Sequence, residues 1–291
     1  MKIVDFKVPQ TAKEAFRFQH DELPYFYDRL HHHAEWQLML ILKGQGTLVA
    51  GDYVGRFEEG DLYLIASGQT HVFRCDDHYF RGEEKAESLS IYFSADYLGK
   101  HFWELQEMSK ASGWLDQAQS GLQIKGKAQA AISQRLVGLA GLEGMPRVVQ
   151  FLEIMNLLIE STDLVPLSTT MISKRTGREG RRINDVLQFT FQESHRKIYL
   201  DEVAQIANLS VEAFCRFFKL STGKTYATFV NDLRVSKACK LLAERELTIR
   251  EVCFESGFNN LSNFNRIFKR TTGHPPSQFG QMTGLRRAST R

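Results

Sequence analysis

The sequence predicts a chain of two unlike parts: an N-terminal β-barrel or sandwich carrying a helical hairpin, then an all-α part built from a repeated helix–turn–helix. Three observations carry this. Short apolar runs broken by glycine turns fill roughly the first 100 positions, at the ~8–12-residue spacing of sandwiches and barrels. The apolar period lengthens to about 3.6 beyond residue 95. Two segments near the C-terminus repeat one another. The length of 291 residues suits about two domains. At 43% hydrophobic and 24% charged, the composition excludes a disordered chain.

No run approaches the ~18 apolar residues of a membrane span. The opening segment lacks the apolar core of a signal peptide. Four scattered cysteines without a C-x-x-C pair fit a reduced cytoplasm rather than a disulfide framework or thiolate zinc site. The net charge of +3 hides a split. Residues 1–165 carry 16 basic against 23 acidic side chains, and residues 166–291 carry 21 against 11. A basic half is the electrostatic footprint expected of a part that meets a polyanion.

In chain order, the strands are expected at Trp36–Leu42, Thr47–Ala50, Tyr53–Phe57, Leu62–Ala66, His71–Phe73 and Leu89–Phe93, with turns at Gly44, Gly46, Gly51, Gly60 and Gly68. They form the body of a first domain over 1–125. In 126–165, Ile132, Leu136, Leu139 and Ala140 fall on one helical face. Gly144 and Pro146 interrupt, and Val148, Leu152, Met155, Leu158 and Ile159 resume the pattern. Residues 166–182 are polar and basic and read as a linker. The last part spans 183–291.

Within it, seven of the sixteen residues at 214–229 recur at 264–279, among them Phe214/Phe264, Arg216/Arg266, Lys219/Lys269 and Gly223/Gly273. Each copy reads as helix–turn–helix. In the second, Thr248 and Glu251 form a capping box, Gly257 ends the helix, and Asn260 caps the next. Phe264, Ile267 and Phe268 then face inward, and Ser262, Asn265, Arg266 and Lys269 outward. In the first copy Phe214, Phe217 and Phe218 face inward, and Glu212, Cys215, Arg216 and Lys219 outward. A basic outer face is usually only solvated surface. The second helix of a helix–turn–helix is the exception, because it fits the major groove and can present Arg to guanine and Asn to adenine. One long helix over 225–243 can hold both copies on one side of a duplex, so that they enter successive major grooves about 34 Å apart.

Residues 183–282 resemble the DNA-binding domain of the AraC/XylS family of transcription regulators. The resemblance rests on Leu200–Ala204, the Phe214/Arg216/Phe218/Lys219/Thr222/Gly223 set, Arg234–Ala238 with Leu241 and Leu242, Thr248–Val252, Ser256–Phe258 and Phe264–Lys269 with Thr272–Pro276. The first ~100 residues resemble the cupin-type sensing barrel of many members. The resemblance implies double-stranded DNA as partner, read by Glu212, Cys215, Arg216, Lys219, Leu261, Ser262, Asn265, Arg266 and Lys269. It also implies a homodimer through the helical pair, RNA polymerase as a further partner, and activation, in some members repression, of nearby promoters. A small organic effector, by family habit a sugar or other carbon source, is expected in the barrel.

The spacing His31-x-His33-x3-Gln37 resembles the first cupin motif with Gln in place of Glu. Gly60-x5-Ala66-x-Gly68-x2-His71 resembles the second. His31, His33, Gln37, Tyr63, His71 and Phe73 are the expected effector-binding residues. His31, His33 and His71 are also an alternative metal set, which the loss of the carboxylate at position 37 disfavours. A metal-dependent cupin enzyme fused to a DNA-binding module is the second reading. No Ser/His/Asp constellation, P-loop or G-x-G-x-x-G is present, so neither catalysis nor a cofactor is expected.

Overall fold

A computed structural model describes residues 4–5, 14–94, 98–168 and 178–281. The chain divides into two compact units, residues 1–53 with 57–177 and residues 178–291 with 54–56.

The first part of the chain forms strands β1 (Val4–Asp5), β2 (Arg17–Leu23), β3 (His31–His32), β4 (Trp36–Lys43), β5 (Gly46–Ala50), β6 (Tyr53–Phe57), β7 (Leu62–Ile65), β8 (His71–Cys75), β9 (Ala86–Phe93), β10 (Leu122–Ile124) and β11 (Leu164–Pro166), all in the first unit except the middle of β6, residues 54–56. Its helices are α1 (Asp77–Phe80), α2 (Lys100–Trp103), α3 (Ser109–Gln117), α4 (Gly126–Gly138) and α5 (Gly144–Glu160). One sheet runs β1-β3-β8-β5-β6 and the other β11-β10-β7-β4-β9-β2.

The run at Trp36–Leu42 is continuously apolar because β4 is covered on both faces. Leu38 and Leu40 pack outward with Leu62, Leu64, Leu89 and Ile91. Met39 and Ile41 pack inward with Leu48, Phe57, Tyr63, Ile65 and Phe73 from the strands of both sheets. The outer face of the six-stranded sheet is roofed by α3, α4 and α5 through Ala111, Leu115, Ile132, Leu136, Phe151, Ile154, Met155 and Leu158. Phe151 stacks on Phe16 with ring centroids 4.5 Å apart. The buried stripe of α5 is therefore Phe151/Ile154/Met155/Leu158. Leu152 and Ile159, expected on that face, are only half-buried, and Ala140 is exposed. The helical pair is thus a roof of the first unit. Val137, Met145 and Val149 remain on its open side, 54%, 73% and 47% exposed.

The second unit contains α6 (Arg178–Glu193), α7 (Leu200–Ile206), α8 (Val211–Thr222), α9 (Tyr226–Glu244), α10 (Ile249–Glu255) and α11 (Leu261–Thr272). The expected 166–182 linker is narrower than its composition suggested: Pro166 ends β11, α6 begins at Arg178, and residues 169–177 lie outside the described residues. Helix α6 forms because Ile183, Val186, Leu187 and Thr190 recur at helical spacing and are all buried.

Local signals start and stop the other helices. Ser210, Thr225, Thr248 and Asn260 each accept a backbone N–H three residues on. The Thr248/Glu251 capping box is complete. Gly223 (φ 73°) and Gly273 (φ 80°) close α8 and α11 in the left-handed conformation that favours glycine. Helix α9 buries Tyr226 and Phe229 against Phe218 of the first copy. Its Val235, Ala238 and Leu242 pack with Phe264, Ile267 and Phe268 of the second. From α9, Arg234 donates through Nε to the Ser194 carbonyl (2.8 Å) and through Nη2 to the Arg196 carbonyl (2.6 Å). It thereby ties the α6–α7 turn to the long helix.

Candidate effector cavity and nucleic-acid interface

Inside the barrel the strand pairing brings polar side chains onto one wall. Gln37 of β4 lies opposite Tyr92 of β9, and Met39 opposite Ser90. On the next strand Gln19 lies opposite Ser90, and Asp21 opposite Ser88. Paired residues in an antiparallel sheet point to the same face, so these side chains converge on a cavity of about 250 Å³. Gln19, Asp21 and Leu23 from β2 line it. Gln37 and Met39 come from β4, His71 and Phe73 from β8, and Ser88 and Tyr92 from β9. Phe26, Tyr27 and His31 complete the wall.

The three imidazoles cluster. The ring centroids of His31 and His71 lie 4.3 Å apart, and those of His33 and His71 lie 5.1 Å apart. In each ring Nδ1 faces a backbone carbonyl at 2.8–2.9 Å: Arg29 for His31, Glu35 for His33 and Gln69 for His71. A carbonyl only accepts, so while the ring is neutral Nδ1 of His31 and of His71 carries the proton and Nε2 presents a lone pair, whereas His33 faces an acceptor at both nitrogens, the Glu35 carbonyl and the Gln37 amide oxygen. Burial keeps the rings neutral. Desolvation lowers His31 to about 3, holds His71 well below the ordinary imidazole value and lowers His33 in the same direction. Burial likewise pushes the Tyr92 phenol up, so it stays protonated.

Four of the six expected effector residues, His31, Gln37, His71 and Phe73, line the cavity. Two do not. His33 stands behind the wall, with Nε2 at 3.1 Å from the Gln37 amide. From there Gln37 reaches Ser90 Oγ (3.1 Å) and Tyr92 Oη (3.0 Å). Tyr63 points inward lower in the barrel, where its hydroxyl donates to Asp61 (2.9 Å) and accepts from Gln123 (3.2 Å). The alternative metal set does not fit either, because His33 has both ring nitrogens engaged. Among the described residues no group of three or more His, Cys, Asp or Glu is arranged to hold a metal ion.

The sequence reading missed Asp21, Gln19, Tyr27, Ser88 and Tyr92 in the wall. The alternation Ser88/Ser90/Tyr92 between apolar neighbours was the available signal. Two buried polar atoms of the wall have no partner, His71 Nε2 and Ser88 Oγ.

Helices α8 and α11 carry matching burial patterns. On α8, Phe214, Phe217 and Phe218 are buried, while Glu212, Cys215, Arg216 and Lys219 are exposed. On α11, Phe264, Ile267 and Phe268 are buried, while Leu261, Ser262, Asn265, Arg266 and Lys269 are exposed. Arg266 donates to Asn263 Oδ1 at 2.8 Å, which steadies its guanidinium along the exposed face. The outer face of α8 carries one acid, Glu212, against Arg216 and Lys219. That of α11 carries Arg266, Lys269 and Arg270 without an acid.

A profile described as an AraC-like ligand binding domain matches residues 13–139, and one described as a helix-turn-helix domain matches residues 203–282. Together they span more than two thirds of the chain. This chain belongs to the AraC family. Its first unit is the ligand-binding domain and its second the DNA-binding domain of a transcriptional regulator. Over 96% of its length it is 26% identical to an uncharacterized HTH-type transcriptional regulator, YdeC of Bacillus subtilis, covering 99% of that protein. It is 22% identical over 86% of its length to the HTH-type transcriptional activator RhaS of Escherichia coli, covering 87% of that chain. Among solved structures, ToxT of Vibrio cholerae is 13% identical, aligning over 92% of this chain and 98% of its own with a TM-score of 0.36. No helix among the described residues is long and apolar enough to cross a membrane.

Proposed function

We propose that this AraC-family protein is a promoter activator that reads two adjacent major-groove segments with α8 and α11, under control of a small organic effector held in the barrel cavity. Glu212, Cys215, Arg216 and Lys219 read one segment. Leu261, Ser262, Asn265, Arg266 and Lys269 read the other. The observation that carries this reading is the doubled outer face, with Arg216/Arg266 and Lys219/Lys269 exposed at the same positions over two like sets of buried rings. His31, Gln37, His71 and Phe73 contact the effector, and His33 positions Gln37. Homodimerisation uses the open side of α4 and α5, whose Val137, Met145 and Val149 support it. The dimer recruits RNA polymerase. The protein carries out no catalysis.

Selection of duplexes from a random pool by the whole chain tests the reading. Arg266→Ala is expected to cost about 1–3 kcal/mol and to relax preference at one base pair. Lys269→Ala is expected to weaken all duplexes evenly and to reduce the salt slope by about one. A uniform loss with Arg266→Ala would place that guanidinium on phosphate. An unenriched pool would overturn the sequence-specific reading altogether.

A further inference from the structure

The cavity has a chemical bias. Among the described residues that line it, Asp21 is the only one with a formal charge at neutral pH, and no Lys or Arg contributes to the wall. Gln19 Nε2 donates to both oxygens of Asp21 at 2.8 Å. A carboxylate offers about four lone-pair sites, so acceptor capacity remains. His71, fully buried, gives its Nδ1 proton to the Gln69 carbonyl and leaves Nε2 as an acceptor with no partner. Ser88, also buried, leaves its hydroxyl without a partner in the same wall. A buried acceptor without a donor is costly, and a bound ligand that supplies an N–H removes that cost.

The remaining wall is aromatic and apolar. Phe26, Tyr27, Phe73 and Tyr92 present ring surfaces, whose faces carry negative potential and attract cations. Leu23 and Met39 add aliphatic surface. An anionic ligand would meet Asp21 and acceptor nitrogens, a repulsive arrangement, while Arg17 on the same face of β2 does not line the cavity and turns its Nε to Gln19 Oε1 (3.1 Å). At about 250 Å³, and ~30 Å³ for each water-sized group, the space holds roughly eight such groups.

Building on the reading of the cavity as the effector site, we infer that its ligand is a small organic cation. The lining suits a primary ammonium on a compact apolar or aromatic body, with Asp21 and His71 Nε2 as the acceptors open to its N–H groups.

Calorimetric titration of the whole chain with benzylamine, benzyl alcohol and benzoate tests this, because the three share a ring and a size and differ in charge. Benzylamine is expected to bind, benzyl alcohol more weakly and benzoate not at all. Asp21→Asn is expected to weaken benzylamine about tenfold, as loss of one partner of a partly buried charge pair does, and to weaken benzyl alcohol, which carries no charge, by much less. Benzyl alcohol or benzoate binding as tightly as benzylamine overturns the cation assignment while leaving the cavity as the ligand site. An unchanged benzylamine affinity in Asp21→Asn does the same. No binding by any of the three overturns both the assignment and the reading of the cavity. The comparison of the three ligands on the unmodified protein needs no variant to fold.

Discussion

Mild acid should weaken the barrel through its buried imidazoles. His31, His33 and His71 are neutral in the folded protein because burial disfavours their charged forms. Once unfolded they return to an ordinary imidazole value near 6.5 and take up protons below it. Their folded values are depressed, so the stability they contribute is present above about pH 6.5 and is lost as pH falls. His31 drops from 6.5 to about 3. At about pH 5.5 the unfolded ring is some ten-elevenths protonated and the folded ring hardly at all, a loss of about 1.4 kcal/mol. His33 and His71 shift in the same direction and deepen that loss, against the ~5–15 kcal/mol that holds a domain together. Asp61, whose carboxyl burial pushes up, acts in the opposite sense at lower pH. The assay is favourable because all three tryptophans, Trp36, Trp103 and Trp114, lie in the first unit, so their fluorescence reports its unfolding alone. Denaturant midpoints should fall between about pH 7.5 and 5.5, and His31→Gln should flatten that fall by about 1.4 kcal/mol at the acid end. A midpoint that stays level or rises over this range would show that the rings are charged in the fold, and the lone-pair assignment of the cavity would go with it.

Two further outcomes concern the second unit, read by far-ultraviolet circular dichroism. At Gly257 (φ +95°) an added Cβ would sit 2.3 Å from the Ser194 carbonyl oxygen, so Gly257→Ala should cost roughly 3 kcal/mol or more. Gly273→Ala, with φ +80° and nothing within 4 Å, should cost only the ~1–2 kcal/mol of the left-handed conformation. Equal losses would mean that the close approach at Gly257 relaxes. Phe264, fully buried between Phe258 and Phe268 with ring centroids 5.2 and 5.5 Å away, should cost about 3–5 kcal/mol on change to Ala. A cost below ~2 kcal/mol would mean that the cluster collapses onto the space.

The helical half was legible because each of its signals is local. A cap residue, an apolar stripe at 3.6 spacing and a left-handed glycine mark α8, α10 and α11 without reference to any distant residue. Helix α6 escaped because its first turns are crowded with Arg and Gly, which on composition alone match a linker. Only the spacing Ile183/Val186/Leu187/Thr190 gives it away. In the barrel, strands with apolar inner faces were readable, but β2 was not. Its Gln19 and Asp21 face inward around a cavity, so the usual alternation is inverted and the segment resembles a loop. Tyr63 had the correct parity for the interior, yet parity does not set depth along the barrel. Its hydroxyl is claimed by Asp61 and Gln123, away from the cavity.

The two copies of the helix–turn–helix share most of the side chains that fold them and, beside the common Arg216/Arg266 and Lys219/Lys269, differ in others that they display. Phe214/Phe264, Phe218/Phe268 and Gly223/Gly273 are common, while Glu212 and Cys215 stand where Ser262 and Asn265 stand in the other copy. Scaffold and message therefore occupy separate residues. Such a chain can change the text it recognises at one half of its operator by altering exposed positions on a single helix, leaving the other half and the stability of both untouched.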